Sequence, residues 1–515
     1  MSTASAPHRD LVLGIDCSTT ASKAVAWDRV GRAVAEGRAP LSTRSPEPGW
    51  GEQDARTWWE ATVTAVRELG GRVSLDRIAA LCVTHQRETF VPLDAAGEPL
   101  RAAILWLDER SREQLATLDR LVGHDRLHRL TGRPPSLTQS LPKLLWLVER
   151  EPEIAASAAA IVDTGAYLVW HLTGERRTGT ASADPMGIID MVAGTWATDV
   201  IAAIGLDPVQ FWPLTPPGEE IGQVSLEAAR QTGLRPGTPV IAGAGDGQAA
   251  SLGAGIVSPH RAYVNLGTAI AGGTSSPTYV TDDTCRTCLG ALPGSFVLES
   301  VLRGGTATVA WFMDHVADPS RGPAAFDAYE REAAALPPGA GGLVLVPYWN
   351  TVMNPYWDPT ASGIVVGWNG SHRRYHLYRA LLEGIALEHR LAIEGIAATT
   401  GTPITDHVVL GGGSRSDLWC QILADVLAAP VHRARSADAT NLGAAILAAR
   451  GAGWFPTVED AAAAMTGTAG TFRPEPRAAA AYGRLYGEVY RHLYPALRPH
   501  LNRLNALTAE IAAGA

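Results

Sequence analysis

The stretch Leu11-Val-Leu-Gly-Ile-Asp-Cys-Ser-Thr-Thr-Ala-Ser-Lys-Ala-Val-Ala-Trp27 has two short apolar runs on either side of a turn of small polar residues. The first run, residues 11–15, has the length and composition of a buried strand, and residues 23–27 predict a second strand. A turn signal at residues 28–31 separates the second strand from a third, predicted over residues 32–38. The chain therefore opens with a β-meander, which differs from the strand-to-helix start of a dinucleotide-binding domain.

The turn of this first hairpin carries side chains that suit a phosphate and a metal ion. Ser18, Thr19 and Thr20 are small enough for backbone N–H groups to approach phosphate oxygens, and their hydroxyls add further donors. Asp16 at the strand end is placed to hold Mg²⁺ directly or through water, and Lys23 can supply positive charge to a phosphate. An ordinary polar hairpin turn fits the same residues, so this motif by itself leaves both interpretations open.

A second strand–turn–strand unit begins about 250 residues later in the chain. Residues 263–266 predict a strand, Gly267-Thr268-Ala269 form a small turn, and β-prone residues continue to residue 274. Two such hairpins indicate a duplicated domain, which we expect to divide the chain into residues 1–255 and 256–515. No long low-complexity linker separates these halves, so they should share a tight hinge and a cleft.

Two glycine-rich segments follow predicted strands. In Gly243-Ala-Gly-Asp-Gly247 the glycines would let a ligand approach Asp246 closely, and a carboxylate that accepts the proton of an attacking hydroxyl recurs in phosphoryl transfer. Gly411-Gly-Gly-Ser-Arg-Ser416 enters a helix that Ser416 can cap, and such a loop can admit a nucleotide. A simple tight turn is the alternative interpretation of each segment, and taken alone the Gly-Asp-Gly letters favour that turn. A later small-residue segment, 439–445, should open another helix that packs beside this loop.

A further segment suits a ligand with several hydroxyl groups. Arg87 and Glu88 follow a predicted strand and can hydrogen-bond vicinal hydroxyls, while the ring of Trp106 can cover a C–H face of the ligand. A solvated charge pair with a core tryptophan is the alternative interpretation of these residues.

Length, charge and cysteine content narrow the classes of function. A chain of 515 residues is too long for a single compact hydrophobic core, so we expect two large domains. Its net charge of −9 disfavours a nucleic-acid partner. Residues 1–10 lack the apolar segment of a secretory signal, and no apolar run approaches the ~20 residues that span a bilayer, so we expect a cytoplasmic protein. The five scattered cysteines fit a reducing compartment, and we expect Cys285 and Cys288 to be ordinary thiols.

Taken together, these segments resemble the FGGY carbohydrate kinase family over about residues 12–453. The order and spacing of the motifs carry this resemblance, since each motif alone is weak. The matching stretches are Gly14-Ile15-Asp16 through Lys23, Pro48-Gly49-Trp50-Gly51-Glu52-Gln53-Asp54, Ile104-Leu105-Trp106-Leu107-Asp108 through Arg110, Gly245-Asp246, Asn265-Leu266-Gly267-Thr268, Tyr356-Trp357-Asp358-Pro359, Leu382-Glu383-Gly384 and Gly411-Gly412-Gly413.

The resemblance implies an α/β, actin-like ATPase fold of the ribonuclease H-like type, with two duplicated domains and catalysis in the interdomain cleft. It implies ATP and Mg²⁺ as cofactors and a small sugar or polyol as substrate. Asp246 is then the general base, and Asp16 and Asp246 are the acids associated with Mg²⁺. The other implied site residues are Ser18, Thr19, Thr20, Lys23, Gly267 and Thr268 at the phosphates, Gly411, Gly412 and Ser416 at the adenine, and Arg87, Glu88, Trp106, Thr138 and Gln248 at the substrate.

Within the family, Gln86-Arg87-Glu88 resembles glycerol kinases, whereas xylulose kinases typically have a Met-His pair here. Thr138 stands where glycerol kinases have a tyrosine that contacts the substrate, Gly247 where they have a glutamine, and Ser18 where a glycine is common. Because the first two differences remove bulk, we expect a larger pocket and a four- or five-carbon polyol or keto-sugar rather than glycerol.

Two alternatives of other classes share the predicted fold. One is an actin-like ATPase that serves as a chaperone or filament subunit, in which Arg87 and Glu88 would have no obvious role. The other is a catalytically silent sugar sensor, against which the presence of both Asp16 and Asp246 argues. A homodimer is an expectation from the resemblance alone.

Overall fold

The computed structural model describes residues 9–349 and 351–514 and contains two large sheets, one in each half of the chain. Residues 1–8, on which the expectation about a secretory signal partly rests, lie outside this description. No helix within the described residues is both long and apolar enough to cross a membrane.

The N-terminal half is built on a six-stranded sheet. The strands of this half, six of which form the sheet, are β1 Leu11–Cys17, β2 Ala21–Trp27, β3 Ala33–Pro40, β4 Glu52–Gln53, β5 Ile78–His85, β6 Phe90–Leu93, β7 Ala103–Ile104, β8 Ala160–Asp163, β9 Thr178–Gly179, β10 Ile189–Asp190, β11 Thr195–Trp196, β12 Leu214–Thr215, β13 Glu220–Gln223 and β14 Pro239–Ile241. Its helices are α1 Arg56–Gly70, α2 Arg112–Leu121, α3 His124–Thr131, α4 Ser140–Arg150, α5 Pro152–Ser157, α6 Thr164–Thr173, α7 Thr180–Ala183, α8 Thr198–Ala203, α9 Leu226–Thr232 and α10 Asp246–Gly253. The six strands run in the order β13-β14-β5-β1-β2-β3.

The C-terminal half is built on a seven-stranded sheet. The strands of this half, seven of which form the sheet, are β15 Arg261–Leu266, β16 Ile270–Ser276, β17 Arg286–Leu289, β18 Phe296–Leu302, β19 Val344–Val346, β20 Ile364–Val366, β21 Asp406–Leu410, β22 Val431–Ala434 and β23 Thr468–Phe472. Its helices are α11 Thr306–His315, α12 Ala325–Ala334, α13 Arg374–Thr400, α14 Asp417–Leu427, α15 Ala439–Gly451, α16 Val458–Met465, α17 Pro476–Leu485 and α18 Arg491–Gly514. The seven strands run in the order β17-β18-β16-β15-β21-β22-β23.

The same strand arrangement occurs in both halves. In the first sheet β1 pairs antiparallel with β2 and parallel with β5, and in the second sheet β15 pairs antiparallel with β16 and parallel with β21. Each half therefore contains a hairpin followed, after a long crossover, by a parallel strand. This repetition is the duplicated α/β architecture that the two hairpin motifs predicted, while the exact boundary between the halves remains a prediction.

One helix of the C-terminal half packs into the N-terminal half. The main neighbours of α15 are α10, β1 and β5 rather than the 411–416 loop, so the expectation that residues 439–445 pack beside that loop is wrong. Glycine allows this close approach, because a Cβ atom on Gly253 would meet the Ala439 carbonyl oxygen and one on Gly443 would meet that of Ala249. The buried Asn441 side chain then accepts a hydrogen bond from the indole of Trp27 at 2.8 Å.

Candidate active site

A cavity of about 520 Å³ lies between the two halves, beside the turn of the second hairpin. It brings together six of the residues predicted from the sequence, and five of these belong to the N-terminal half. The lining residues are Arg87, Glu88, Trp106, Thr138 and Asp246 from the N-terminal half, and Thr268, Ala269, Ala271, Arg286, Val301, Arg303 and Met353 from the C-terminal half.

Asp246 begins α10 directly after the Gly243–Gly245 segment, so its carboxylate projects from a helix start into the cavity. Its Oδ1 atom accepts hydrogen bonds from the Gly247 backbone N–H at 2.7 Å and pairs with Arg87 Nε at 2.9 Å. The side chain is 42% exposed, which leaves the carboxylate open to a ligand. A side chain at residue 245 would collide with Arg87, so the glycine keeps this pairing in place.

Asp16 lies at the end of β1, opposite Lys23 of β2, in a half-buried position. Its Oδ1 atom has no hydrogen-bond partner within the described part of the chain. Burial raises the pKa of Asp16 well above its ordinary value, the neighbouring Asp246 and Asp438 carboxylates raise it further, and Lys23 lowers it. An unpartnered buried carboxylate oxygen close to other acids is an environment that a divalent cation would stabilise, so these residues fit Mg²⁺.

The first hairpin turn is held by its own side chains. The Ser18 hydroxyl donates to the Ala21 carbonyl oxygen at 2.9 Å, and Thr20 is exposed. The Thr19 hydroxyl donates to Gln86 Oε1 at 3.0 Å and accepts from the Trp106 indole at 2.9 Å. The phosphate-type turn and the wall of the cavity are thus joined directly.

Lys23 is held by two carboxylates in this structure. Its ammonium group lies 2.9 Å from Asp438 and 3.1 Å from Glu36. The role of Lys23 at the phosphates stays a prediction, and it requires the side chain to share or leave these partners.

The second hairpin turn lies between this cavity and a larger one. Thr268 lines the first cavity, and the Gly267 carbonyl oxygen accepts a hydrogen bond from the backbone N–H of Thr306 at 2.8 Å. The second cavity, of about 740 Å³, is enclosed by the glycine loop, α11, α12 and α13. Its lining residues are Thr306, Val309, Phe326, Asp327, Glu330, Arg331, Tyr378, Gly412, Gly413, Arg415, Ser416, Asp417 and Trp419.

The loop predicted to border adenine is only partly on this second cavity. Ser416 caps α14 by accepting from the Trp419 backbone N–H at 3.0 Å, and its hydroxyl donates to Glu330 at 2.6 Å. Gly411 lies outside the lining, because it has a φ of 82° and packs against the end of β15, where a Cβ atom would meet Asn265. Position 411 therefore requires glycine, because another side chain would strain the backbone there and collide with Asn265.

Gln248 is not brought to the substrate cavity. Its side chain is buried, and its amide donates to the Ala181 carbonyl oxygen at 2.9 Å and to Asp184 at 3.4 Å. Residue 248 follows the first residue of α10 by two positions, so it points away from the face that carries Asp246.

The space beside Gly247 is filled by protein rather than left open to a substrate. A Cβ atom at this position would lie 2.6 Å from Arg87 Nη2 and 2.7 Å from Glu299 Oε1. The expectation that Gly247 enlarges the pocket is therefore wrong, since the absent side chain makes room for the pairing of Arg87 with Glu299. Thr138 does line the cavity, and its hydroxyl lies 3.1 Å from that of Ser136.

A buried charge network that sequence analysis missed joins the two halves. Glu299 on β18 is fully buried and accepts from Arg286 Nε at 2.6 Å, Arg87 Nη1 at 3.0 Å and the Tyr263 hydroxyl at 3.0 Å. Burial alone would raise the pKa of Glu299, but the Arg286 and Arg87 guanidinium groups outweigh burial and lower it to about 2. A lone acid in the apolar run Phe296-Val-Leu-Glu-Ser-Val-Leu302 was the available signal.

Glu88 completes this network from the N-terminal half. Its backbone has a φ of 61°, an unusual value for a residue other than glycine, and its carboxylate lies 3.4 Å from Arg286 Nη1. Such strained backbone conformations persist where the surrounding contacts hold them in place, and they are common at ligand sites. The turn after β5 thus presents Arg87 and Glu88 side by side to the cavity.

The comparisons with known proteins extend over both halves. The N-terminal domain model of the FGGY family of carbohydrate kinases matches residues 11–253, and the C-terminal domain model matches residues 262–452. Xylulose kinase of Bacillus subtilis is 28% identical over 495 residues, which cover 94% of this chain and 96% of that protein. Glycerol kinase of Bordetella parapertussis is 30% identical over 474 residues, which cover 88% and 90% of the two chains.

A solved structure shares the architecture as well. The crystal structure of xylulose kinase from Rhodospirillum rubrum is 32% identical in sequence, with a TM-score of 0.90, and the match covers 95% of this chain and 99% of that one. The predicted two-domain, actin-like fold and the predicted family are confirmed. With both domain models matched and the whole fold shared, this chain belongs to the FGGY family of carbohydrate kinases.

Proposed function

We propose that this kinase transfers the γ-phosphoryl group of ATP to a primary hydroxyl of a four- or five-carbon polyol or keto-sugar, with Asp246 as general base. The observation that carries the proposal is the shared cavity in which Asp246 lies beside Arg87 and Glu88, opposite Thr268 of the second hairpin. The family match gives no support to a chaperone or filament ATPase, whereas the sugar sensor is an outcome of the test below.

In this proposal the substrate lies in the 520 Å³ cavity with its reacting hydroxyl against Asp246. Arg87 and Glu88 hydrogen-bond its other hydroxyls, and the ring of Trp106 covers its C–H face. Asp246 accepts the proton of the attacking hydroxyl as the bond to phosphorus forms. Arg87 already holds Asp246 at 2.9 Å, so it keeps the carboxylate oriented while the substrate enters.

ATP would extend from the second cavity toward the first, with its adenine near Gly412 and Ser416 and its phosphates between the two hairpin turns. Asp16 and Asp246 would hold Mg²⁺, because an Asp16 oxygen is buried with no partner among the described residues and the nearby Asp246 carboxylate raises the pKa of Asp16. When bound, Mg²⁺ offsets the negative charge of the phosphates. Closure of the halves would exclude water and limit ATP hydrolysis.

The substrate class rests on the cavity and on the relatives. A volume of 520 Å³ lies within the range typical of small-molecule sites, and the small side chains of Thr138 and Ala271 leave room beyond a three-carbon ligand. Proteins named xylulose kinase are among the similar sequences and structures, as is one named glycerol kinase. The proposal also includes a cytoplasmic location, expected from the scattered cysteines and the polar N-terminus, and a homodimer, expected from the family resemblance.

A coupled ADP-release assay with Mg-ATP tests the proposal against glycerol, erythritol, the pentitols, xylulose, ribulose and gluconate. We expect the highest kcat/KM for a four- or five-carbon polyol or a pentulose. A clear preference for glycerol over all longer acceptors would contradict the substrate class. Silence with every acceptor, in a protein that still binds ATP by calorimetry, would support the sensor interpretation instead.

A further inference from the structure

Among the described residues that line the cleft cavity, one cation is not neutralised by an acid. Arg87 pairs with Asp246 and Glu299, and Arg286 pairs with Glu88 and Glu299. Arg303 also lines the cavity, but within residues 9–349 and 351–514 no carboxylate lies within ion-pair distance of it. Within the described part of the chain, Arg303 makes one hydrogen bond, a long one from Nη1 to the Thr351 hydroxyl at 3.5 Å.

The position of Arg303 directly after β18 explains its place in the cavity. Val301 near the end of β18 and Arg303 just beyond that strand both line the cavity. Val301 pairs in register with Ala271 of β16, whose methyl group leaves the guanidinium room. Arg303 is therefore held at the cavity by the end of β18.

Arg303 also stands next to the second hairpin turn. Leu302 pairs with Ile270 at the end of the ladder, immediately before the turn that carries Thr268. The following residues rest on that turn, since a Cβ atom on Gly305 would lie 2.6 Å from the Thr268 carbonyl oxygen. Arg303 is thus anchored where the proposed sugar cavity meets the proposed phosphate position.

We infer that Arg303 binds an oxyanion of a ligand in the cleft. The inference deepens the proposed function and rests on it. A guanidinium group in a partly enclosed cleft gains most from an anion that it can bind with two parallel hydrogen bonds, and carboxylates and phosphates have this geometry. The oxyanion has two sources in this reaction, the γ-phosphoryl group of ATP or a carboxylate on the acceptor, as in a sugar acid.

The test compares wild type, Arg303→Met and Arg303→Lys with neutral and acidic acceptors of matched length, namely ribulose, ribitol and ribonate. Arg484→Met, which removes an exposed arginine remote from the cleft, is the matched control. Loss of a charged hydrogen bond should lower kcat/KM about ten- to a hundredfold in Arg303→Met, with partial rescue in Arg303→Lys. Thermal unfolding of each variant checks that the fold is intact.

The pattern of loss identifies the source of the oxyanion. An equal loss in kcat with every acceptor, at unchanged acceptor KM, assigns Arg303 to the γ-phosphoryl group. A loss confined to ribonate, together with lost ribonate binding by calorimetry without nucleotide, assigns it to an acceptor carboxylate. Activity within twofold of wild type on all acceptors, with unchanged ribonate and ATP affinity, overturns the inference.

Failure of the proposed function is distinguishable from failure of this inference. If wild type phosphorylates none of the acceptors, the kinase proposal for these substrates fails. Calorimetry with ATP and with ribonate still tests Arg303 in that case. Equal affinities in wild type and Arg303→Met would then overturn the inference, and a tenfold loss of either affinity would support it.

Discussion

Replacement of Glu299 by glutamine should destabilise the protein strongly, because Glu299 is the buried acid that two arginines share. The substitution keeps the size of the side chain and removes its charge. The buried Arg286 would then lose its nearest acid, and Arg87 would keep only its pairing with Asp246. Breaking a buried ion pair by removing one partner typically costs about 3–5 kcal/mol.

The pKa of Glu299 leads to a similar magnitude. Its folded value of about 2 lies below the ordinary value of 4.5, and this difference corresponds to roughly 3 kcal/mol of stability. Because the folded pKa is lowered, this contribution is fully present above pH 4.5 and is lost as the pH falls toward 2. We therefore expect Glu299→Gln to lower the free energy of unfolding by about 3 kcal/mol at pH 7.

Urea unfolding of the full chain at pH 7 measures this loss. Glu98→Gln is the matched control, since Glu98 forms an exposed pair with Arg56 that solvent screens. A second readout is kcat/KM, which should fall in Glu299→Gln because Arg87 loses the partner that positions it beside Asp246. An unfolding free energy that matches both wild type and Glu98→Gln would refute the assignment of Glu299 as the centre of the buried network.

Three further substitutions test the proposed base, the space beside Gly247 and a buried acid of the C-terminal half. Asp246→Asn should retain ATP binding by calorimetry and lose at least a hundredfold in kcat, and near-normal turnover would remove Asp246 from the role of base. Gly247→Ala should displace the Arg87 guanidinium, because its Nη2 atom lies 2.6 Å from the new Cβ position. The KM for the acceptor should then rise more than the KM for ATP, and an unchanged acceptor KM would contradict the role of Gly247 in holding Arg87. Burial raises the pKa of Glu388 to about 7, although two tyrosine hydroxyls donate to it. The free energy of unfolding should thus fall by roughly 3 kcal/mol as the pH rises from 4.5 through 7. Urea titrations at pH 5 and pH 8 should show a smaller fall in Glu388→Gln than in wild type. An equal fall in both proteins would contradict the raised pKa of Glu388.

Much of the fold was predictable from local patterns. Apolar runs between turn signals located β1, β2 and β3, and the small turn after residue 266 located the second hairpin. These features depend on residues close together in the chain, so the local sequence shows both the hydrophobic periodicity of a strand and the residue types that turns prefer. Asp246 could be selected for the same reason, because glycines flank it directly.

The partners of these residues depended on the tertiary structure. Arg87 and Glu299 are 212 positions apart, and no local pattern in either segment specifies the other. Their pairing also reversed the interpretation of Gly247, whose missing side chain accommodates an arginine rather than a larger substrate.

The sequence by itself determined the two hairpins, the glycine segments, the predicted base and the family resemblance, since each is written in neighbouring residues. Only the tertiary structure decided that α15 packs into the first half, that Gln248 turns away from the cavity, and that Arg303 lines the cleft with no acid beside it among the described residues. The physical reason is that burial and charge compensation are properties of a packed interior, where residues distant in the chain become the nearest neighbours.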